Sequence, residues 1–139
     1  MNINNFQKDD LISDEKYICY HPICDVKIFG YTLEKEEAHE CDICISSQNE
    51  LSDVLPLINR YVDWLSDCRG NLITYFEGIL EENLPSNWYD EIEIISFSIT
   101  VNNLDDYGAT ISFGESVFSD HIIELDFEKE EIIDNRLNG

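Results

Sequence analysis

Hydrophobic positions change period twice along the chain and divide it into three stretches. Residues 1–16 are polar and acidic, with Leu11 and Ile12 as their one strong apolar pair. YICY (17–20) is a short apolar run, broken by His21-Pro22. DVKIFGYTLEK (25–35) alternates at Val26 and Ile28, then again at Tyr31 and Leu33, and the phase shift at Gly30 predicts a bulge. A charged turn, EKEEAHE, leads into CDICIS (41–46), so 25–46 reads as a hairpin.

The middle stretch follows a helical period. Leu51, Val54, Leu55, Ile58, Tyr61, Val62 and Leu65 form one stripe, with Pro56 early enough to be tolerated. Gly70 ends or articulates that helix. A second stripe follows at Leu72, Ile73, Phe76, Ile79 and Leu80, ending near Asn83 before Pro85 and weakened by Gly78. From residue 91 the period becomes two. EIEIISFSITV sets Ile95, Phe97, Ile99 and Val101 against Ser96, Ser98 and Thr100. Asn102–Gly108 reads as a loop, and ATISF (109–113), HIIELDF (121–127) and EIIDNRL (131–137) as further strands. The order β-β-β-α-α-β-β-β-β is α+β, a mainly antiparallel sheet with two helices packed on one face.

Composition sharpens this picture. The chain has 139 residues, with 8 Lys+Arg against 30 Asp+Glu and a net charge of −22. At 43% apolar, with 7 Phe, 7 Tyr and 2 Trp, it has a core's worth of hydrophobic residues, so it reads as one domain (17–139) behind an acidic arm (1–16). The charge argues against direct binding of nucleic-acid phosphates. No apolar run approaches the ~20 residues of a membrane span. The opening residues lack the basic and apolar regions of a signal peptide, and the expected location is the cytoplasm.

The five cysteines are Cys19, Cys24, Cys41, Cys44 and Cys68. An odd number without an export signal reads as reduced thiols. Cys19-x-His21-x-x-Cys24 and His39-x-Cys41-x-x-Cys44 have the letters of a zinc site. Alternation along AHECDICIS, however, sends Cys41 and Cys44 to opposite faces. Cys68, beside Arg69, is the one cysteine with a neighbour that could lower its pKa. No nucleophile elbow, phosphate loop, dinucleotide fingerprint or H-E-x-x-H motif is present, and Ser119-Asp120-His121 cannot form a triad because adjacent residues point apart. The chain therefore reads as a non-enzyme without cofactor or metal. Its carboxylates are the conspicuous chemistry: Glu124-x-Asp126-x-Glu128 places three on one strand face. Aromatics stand beside acids at Trp88-Tyr89-Asp90 and Asp105-Asp106-Tyr107.

Two resemblances add to this reading. Phe97-Ser-Ile-Thr-Val, a short Asp/Gly hairpin, Val117-Phe118-x-x-His121-x-Ile123 and the Ile-rich close resemble an uncharacterised bacterial family with an F-x-G-H-x-I segment. Asp120 stands here where that family has Gly. This resemblance implies the α+β fold and no catalytic residues. More loosely, in size, acidity and lack of catalytic motif, the chain is similar to immunity proteins of contact-dependent growth inhibition and other polymorphic toxin systems. That likeness implies a partner: a cognate toxin domain, expected to be a basic nuclease, occluded by an acidic surface with aromatic anchors. The candidate contacts are Trp88, Asp90, Asp105, Asp106, Tyr107, Glu115, Asp120, Glu124, Asp126 and Glu128. The alternatives are a DNA mimic acting on a DNA-binding protein, and a small zinc-binding regulatory domain using His21, Cys24, His39 and Cys41.

Overall fold

The alternating stretches assemble into one seven-stranded sheet in the computed structural model, which describes residues 1–138. Its strands are Phe6–Lys8 (β1), Tyr17–Pro22 (β2), Asp42–Ser46 (β5), Glu93–Asn103 (β6), Asp106–Gly114 (β7), Ile122–Glu128 (β8) and Glu131–Asn138 (β9). Their spatial order is β1-β2-β5-β6-β7-β8-β9. Val26–Ile28 (β3) and Tyr31–Leu33 (β4) make a separate two-stranded ribbon. Beside short 3-10 turns at Ile3–Asn5 and Tyr89–Glu91, the described residues form three α-helices: Lys35–Ala38 (α1), Leu51–Ser66 (α2) and Arg69–Leu80 (α3). The fold is α+β, and the sheet is mainly antiparallel but mixed, because β5 and β6 run parallel. A parallel pair needs a long crossover, and α2 and α3 fill the one between β5 and β6.

Three findings refine the sequence reading. First, residues 25–46 are not one hairpin. Phe29 (φ 51°) and Gly30 (φ 78°) both adopt positive φ, the geometry of a two-residue turn whose twist suits a hairpin, so β3 folds back on β4. β5 is thereby released to pair with β2 and β6. Second, the acidic arm (1–16) is tied to the sheet. Phe6–Lys8 pair with Tyr20–Pro22, the Asp9 amide donates to the Cys19 carbonyl, and the Cys19 amide donates to Ser13 Oγ. Third, two cysteines are not thiols. Cys19 and Cys44 face each other across β2 and β5, Cα–Cα 4.0 Å, and are joined as a disulfide. Their register partnership depends on strand pairing and leaves no mark on sequence spacing.

Hydrophobic burial organises the two sheet faces. Ile43, Ile45, Phe97, Ile99, Ile111, Phe113, Ile123 and Leu125 are buried and alternate with polar neighbours. α2 adds Val54, Leu57, Ile58, Tyr61 and Leu65, and α3 adds Leu72 and Phe76. Leu57 rather than Leu55 belongs to the buried stripe. Trp64 of α2 meets Phe127 of β8 edge-on at 5.8 Å, and Phe76 of α3 meets Phe113 of β7 at 6.4 Å. Each such side chain taken out of water stabilises the fold by about 1.5–3 kcal/mol. In β6 the register slips between Ile94 and Ser96, so Ile94 is buried and Ile95 exposed, reversing the role read for Ile95. A bulge of this kind cannot be seen in an alternating pattern, because it adds a residue without changing composition.

β7 approaches β8 closely at Gly108, where a Cβ would stand 2.3 Å from the carbonyl oxygen of Phe127. Backbone on both sides leaves no flexible atom to yield. We therefore expect Gly108→Ala to lower stability by about 1–3 kcal/mol in urea titration, the usual cost of overpacking. Gly78→Ala, where an added Cβ meets nothing within 4 Å, should be neutral or stabilising.

Candidate functional site

The sheet face opposite the apolar core is mainly polar, with Ile122 and Ile133 exposed on it at the β8–β9 edge, and its register can be read row by row. One row runs Asp42, Ser98, Thr110, Asp126, Asp134 from β5 to β9. The next runs Cys19, Cys44, Thr100, Gly108, Glu128, Glu131 from β2 to β9. A third runs Ser96, Ser112, Glu124, Arg136. The centre of the face is thus a floor of short hydroxyl side chains and one glycine. Carboxylates stand on both sides of it.

These carboxylates are held in place. Ser98 Oγ donates to Asp42, and Thr110 Oγ1 donates to Asp126 at 2.8 Å. Arg136 is the face's cation, reaching Asp126 at 2.5 Å, Glu124 at 3.0 Å and Asp134 at 3.4 Å. The Arg136 hydrogen bond, with help from Thr110, holds the Asp126 carboxyl below the usual carboxylate range. Glu128 and Glu131 are exposed and have no ion-pair partner among the described residues. One guanidinium therefore stands among six carboxylates (Asp42, Glu124, Asp126, Glu128, Glu131, Asp134), and the face keeps an excess of negative charge.

The candidate contacts fall into distinct places. Glu124, Asp126 and Glu128 share this face, and Asp106 lies at its end, accepting a hydrogen bond from Asn102 at 3.2 Å. Asp105 sits in the tight turn between β6 and β7, which is shorter than the loop expected there. Asp120 is exposed in the loop before β8. Asp90 is exposed and paired with Arg69 at 2.6 Å. Tyr107 lies on the core side, opposite Val101 and edge-on to Tyr61 at 4.9 Å.

Two candidates are corrected outright. Trp88 is 1% exposed and Glu115 7% exposed, so neither offers a surface contact. Trp88 Nε1 donates to Glu115, which also accepts from the amides of Val117 and Phe118, each bond 2.6 Å. This carboxylate organises the β7–β8 loop, and burial without those three donors would be costly. Asp42, Asp134 and the Ser/Thr floor were missed as parts of the surface. The Ser/Thr alternation of residues 96–100 was visible, but Asp42 joins it only through the parallel pairing.

The zinc quartet does not assemble. Cys41 is buried, its sulfur near the Glu37 carbonyl and the Phe97 amide. Among the described residues no group of three or more His, Cys, Asp or Glu side chains could hold a metal ion. Cys68 is not activated by Arg69. It is buried against the Trp64 carbonyl, and desolvation pushes its thiol up to about 12. No helix of the described residues is long and apolar enough to cross a membrane.

His21 has another role, in clasping the N-terminal segment. Its Nδ1 lies 2.8 Å from the Cys41 carbonyl and its Nε2 2.5 Å from an Asp9 carboxylate oxygen. Both partners accept, so both ring nitrogens donate and the imidazolium form is favoured. The Cys41 carbonyl, followed by Asp9, raises the His21 pKa above 6.5 against the opposing effect of burial. His21, followed by the Leu11 amide, lowers the Asp9 pKa below 3.8.

Comparison with family models, curated proteins and solved structures gives no match.

The clasp fixes a pH window. The His21 contribution is complete below pH 6.5 and fades as pH rises through the raised folded value. The Asp9 contribution is complete above 3.8 and fades as pH falls through the lowered one. NMR titration should place the His21 midpoint above 6.5. Protection of the N-terminal strand amides, corrected for intrinsic exchange, should fall on the alkaline side, and His21→Gln should remove that limb.

Proposed function

We propose that this protein is an immunity-type inhibitor, which binds a cationic toxin domain and blocks its active site with the acidic sheet face. In this reading the two long helices lie together on the opposite face and leave the acidic one free. One observation carries the proposal: a hydroxyl-floored surface, spread over five strands, on which six carboxylates face one arginine. A nuclease binds phosphate through clustered Lys and Arg, and oriented carboxylates match that pattern. The Ser, Thr and Arg136 hydrogen bonds pre-organise four of the acids, Asp42, Glu124, Asp126 and Asp134, which reduces the ordering cost of binding. A net charge of −22 favours steering of a cationic partner toward this surface. The protein acts by occlusion rather than catalysis, and it works in the cytoplasm, where the producing cell needs protection. Glu124, Asp126, Glu128, Asp42 and Asp106 form the contact set, with Asp105 at its margin.

Affinity capture from the producing cells, with the protein as bait at low and high salt, tests the reading. The expected result is one basic protein retained stoichiometrically, with an association rate falling at least about tenfold between low and high salt. Glu124→Gln combined with Glu128→Gln should slow association, whereas Asp53→Asn with Asp63→Asn on α2 should leave it nearly unchanged. Capture of many DNA-binding proteins, all released by salt, would replace this proposal with nucleic-acid mimicry. An association rate indifferent to salt would remove its electrostatic basis.

A further inference from the structure

The disulfide lies on the acidic face, in one row with Thr100, Gly108 and Glu128, at the joint where the N-terminal segment meets the sheet. Cys19 faces two ways. Its side chain is bonded to Cys44 of β5, while its backbone turns outward. The Cys19 carbonyl accepts from the Asp9 amide at 2.9 Å, and the Cys19 amide donates to Ser13 Oγ at 2.9 Å. Two residues on, His21 holds the Asp9 carboxylate. The covalent bond thus anchors the residue that the segment grips. The two residues differ in exposure: Cys19 is 3% exposed, whereas Cys44 is half-buried on the open face. The other three cysteines are poor competitors, since Cys41 and Cys68 are buried in the core and desolvation raises the thiol pKa of Cys24 as well.

We propose that Cys19 and Cys44 form a reversible dithiol–disulfide site, exchanged at the Cys44 sulfur by a low-molecular-weight thiol, whose redox state sets how firmly residues 6–13 are held to β2. In reduction, the thiolate of the small thiol attacks Cys44 Sγ. The Cys19–Cys44 bond breaks, and Cys19 leaves as a thiolate that takes a proton from water. A second small thiol then attacks the mixed disulfide and releases the Cys44 thiolate, which is protonated in turn. The net change converts one protein disulfide and two small thiols into two protein thiols and one small disulfide. The Asp42 carboxylate, with Oδ1 3.8 Å from Cys44 Sγ, and the surrounding acids repel an anionic reagent. A cationic thiol is the better substrate.

The test uses the full-length protein equilibrated in glutathione buffers of graded redox ratio, quenched with acid and alkylated. Alkylation should count three thiols under oxidising conditions and five under reducing ones, with both forms populated between. A protein that stays in one form at every ratio overturns the exchange. At fixed pH, the Asp9 and Cys19 amides should exchange at least about tenfold faster with deuterium in the reduced form, while the Ile99 amide does not change. Equal rates overturn the link to the N-terminal segment. Cys19→Ser should trap glutathione on Cys44, and Cys44→Ser should leave Cys19 unmodified; the reverse pattern overturns the assignment of the attacked sulfur. Cysteamine should reduce the native protein faster than glutathione by about threefold or more at low ionic strength, and the gap should close in high salt. The redox titration and exchange rates need no variant and so do not depend on either serine protein folding.

Discussion

The parallel pairing of β5 with β6 is the constraint on which the rest of the molecule depends. It is the seam between an N-terminal group of strands and a C-terminal antiparallel meander, and the ladder there runs from Asp42 against Ser98 to Ile45 against Val101. A parallel neighbour cannot be reached by a tight turn, so the chain must travel the length of the sheet before β6 begins. α2 and α3 make that journey and deliver the aromatic side chains that meet Phe113 and Phe127. The same pairing aligns Ile43 and Ile45 with Ile99 and Val101 in the core, and Asp42 and Cys44 with Ser98 and Thr100 on the polar face.

A chain this acidic folds against its own charge, and the structure meets that repulsion locally. Asp42 and Asp126 each accept a hydroxyl hydrogen bond, and Arg136 gathers three further carboxylate contacts. Glu115, the buried acid, is satisfied by three N–H donors. What remains uncompensated is concentrated on exposed positions such as Glu128 and Glu131. Acids held in fixed positions are better suited to recognising a cationic surface than mobile ones, because less freedom is lost on contact.

The N-terminal segment shows how a stretch of weak hydrophobicity is ordered by specific bonds. It contributes little to the core, yet Asp9, Ser13 and His21 tie it to the outer edge of β2. Each tie ends at or next to a residue whose state depends on its surroundings: the proton on His21 or the sulfur of Cys19. The edge strand is therefore responsive where the central strands, held by hydrophobic burial, are not.

Much of the fold was legible in the chain. The switch from period two to the helical period of 3.6 and back reflects which face of each element meets water, and it located α2, α3 and the strands from residue 91 onward. The charge is likewise a property of composition. Only the tertiary structure decided the rest. Gly30 marked a break in phase, but whether it was a bulge or a turn depended on where β5 found its partners. Trp88 and Glu115 looked like surface anchors because neither residue type nor loop position reveals a partner 27 residues away. The pairing of Cys19 with Cys44, and the row joining Asp42 to Asp134, arise from strand register. Periodicity tells each strand which side is apolar, but register is a relation between strands, set by turns, bulges and packing across the whole sheet.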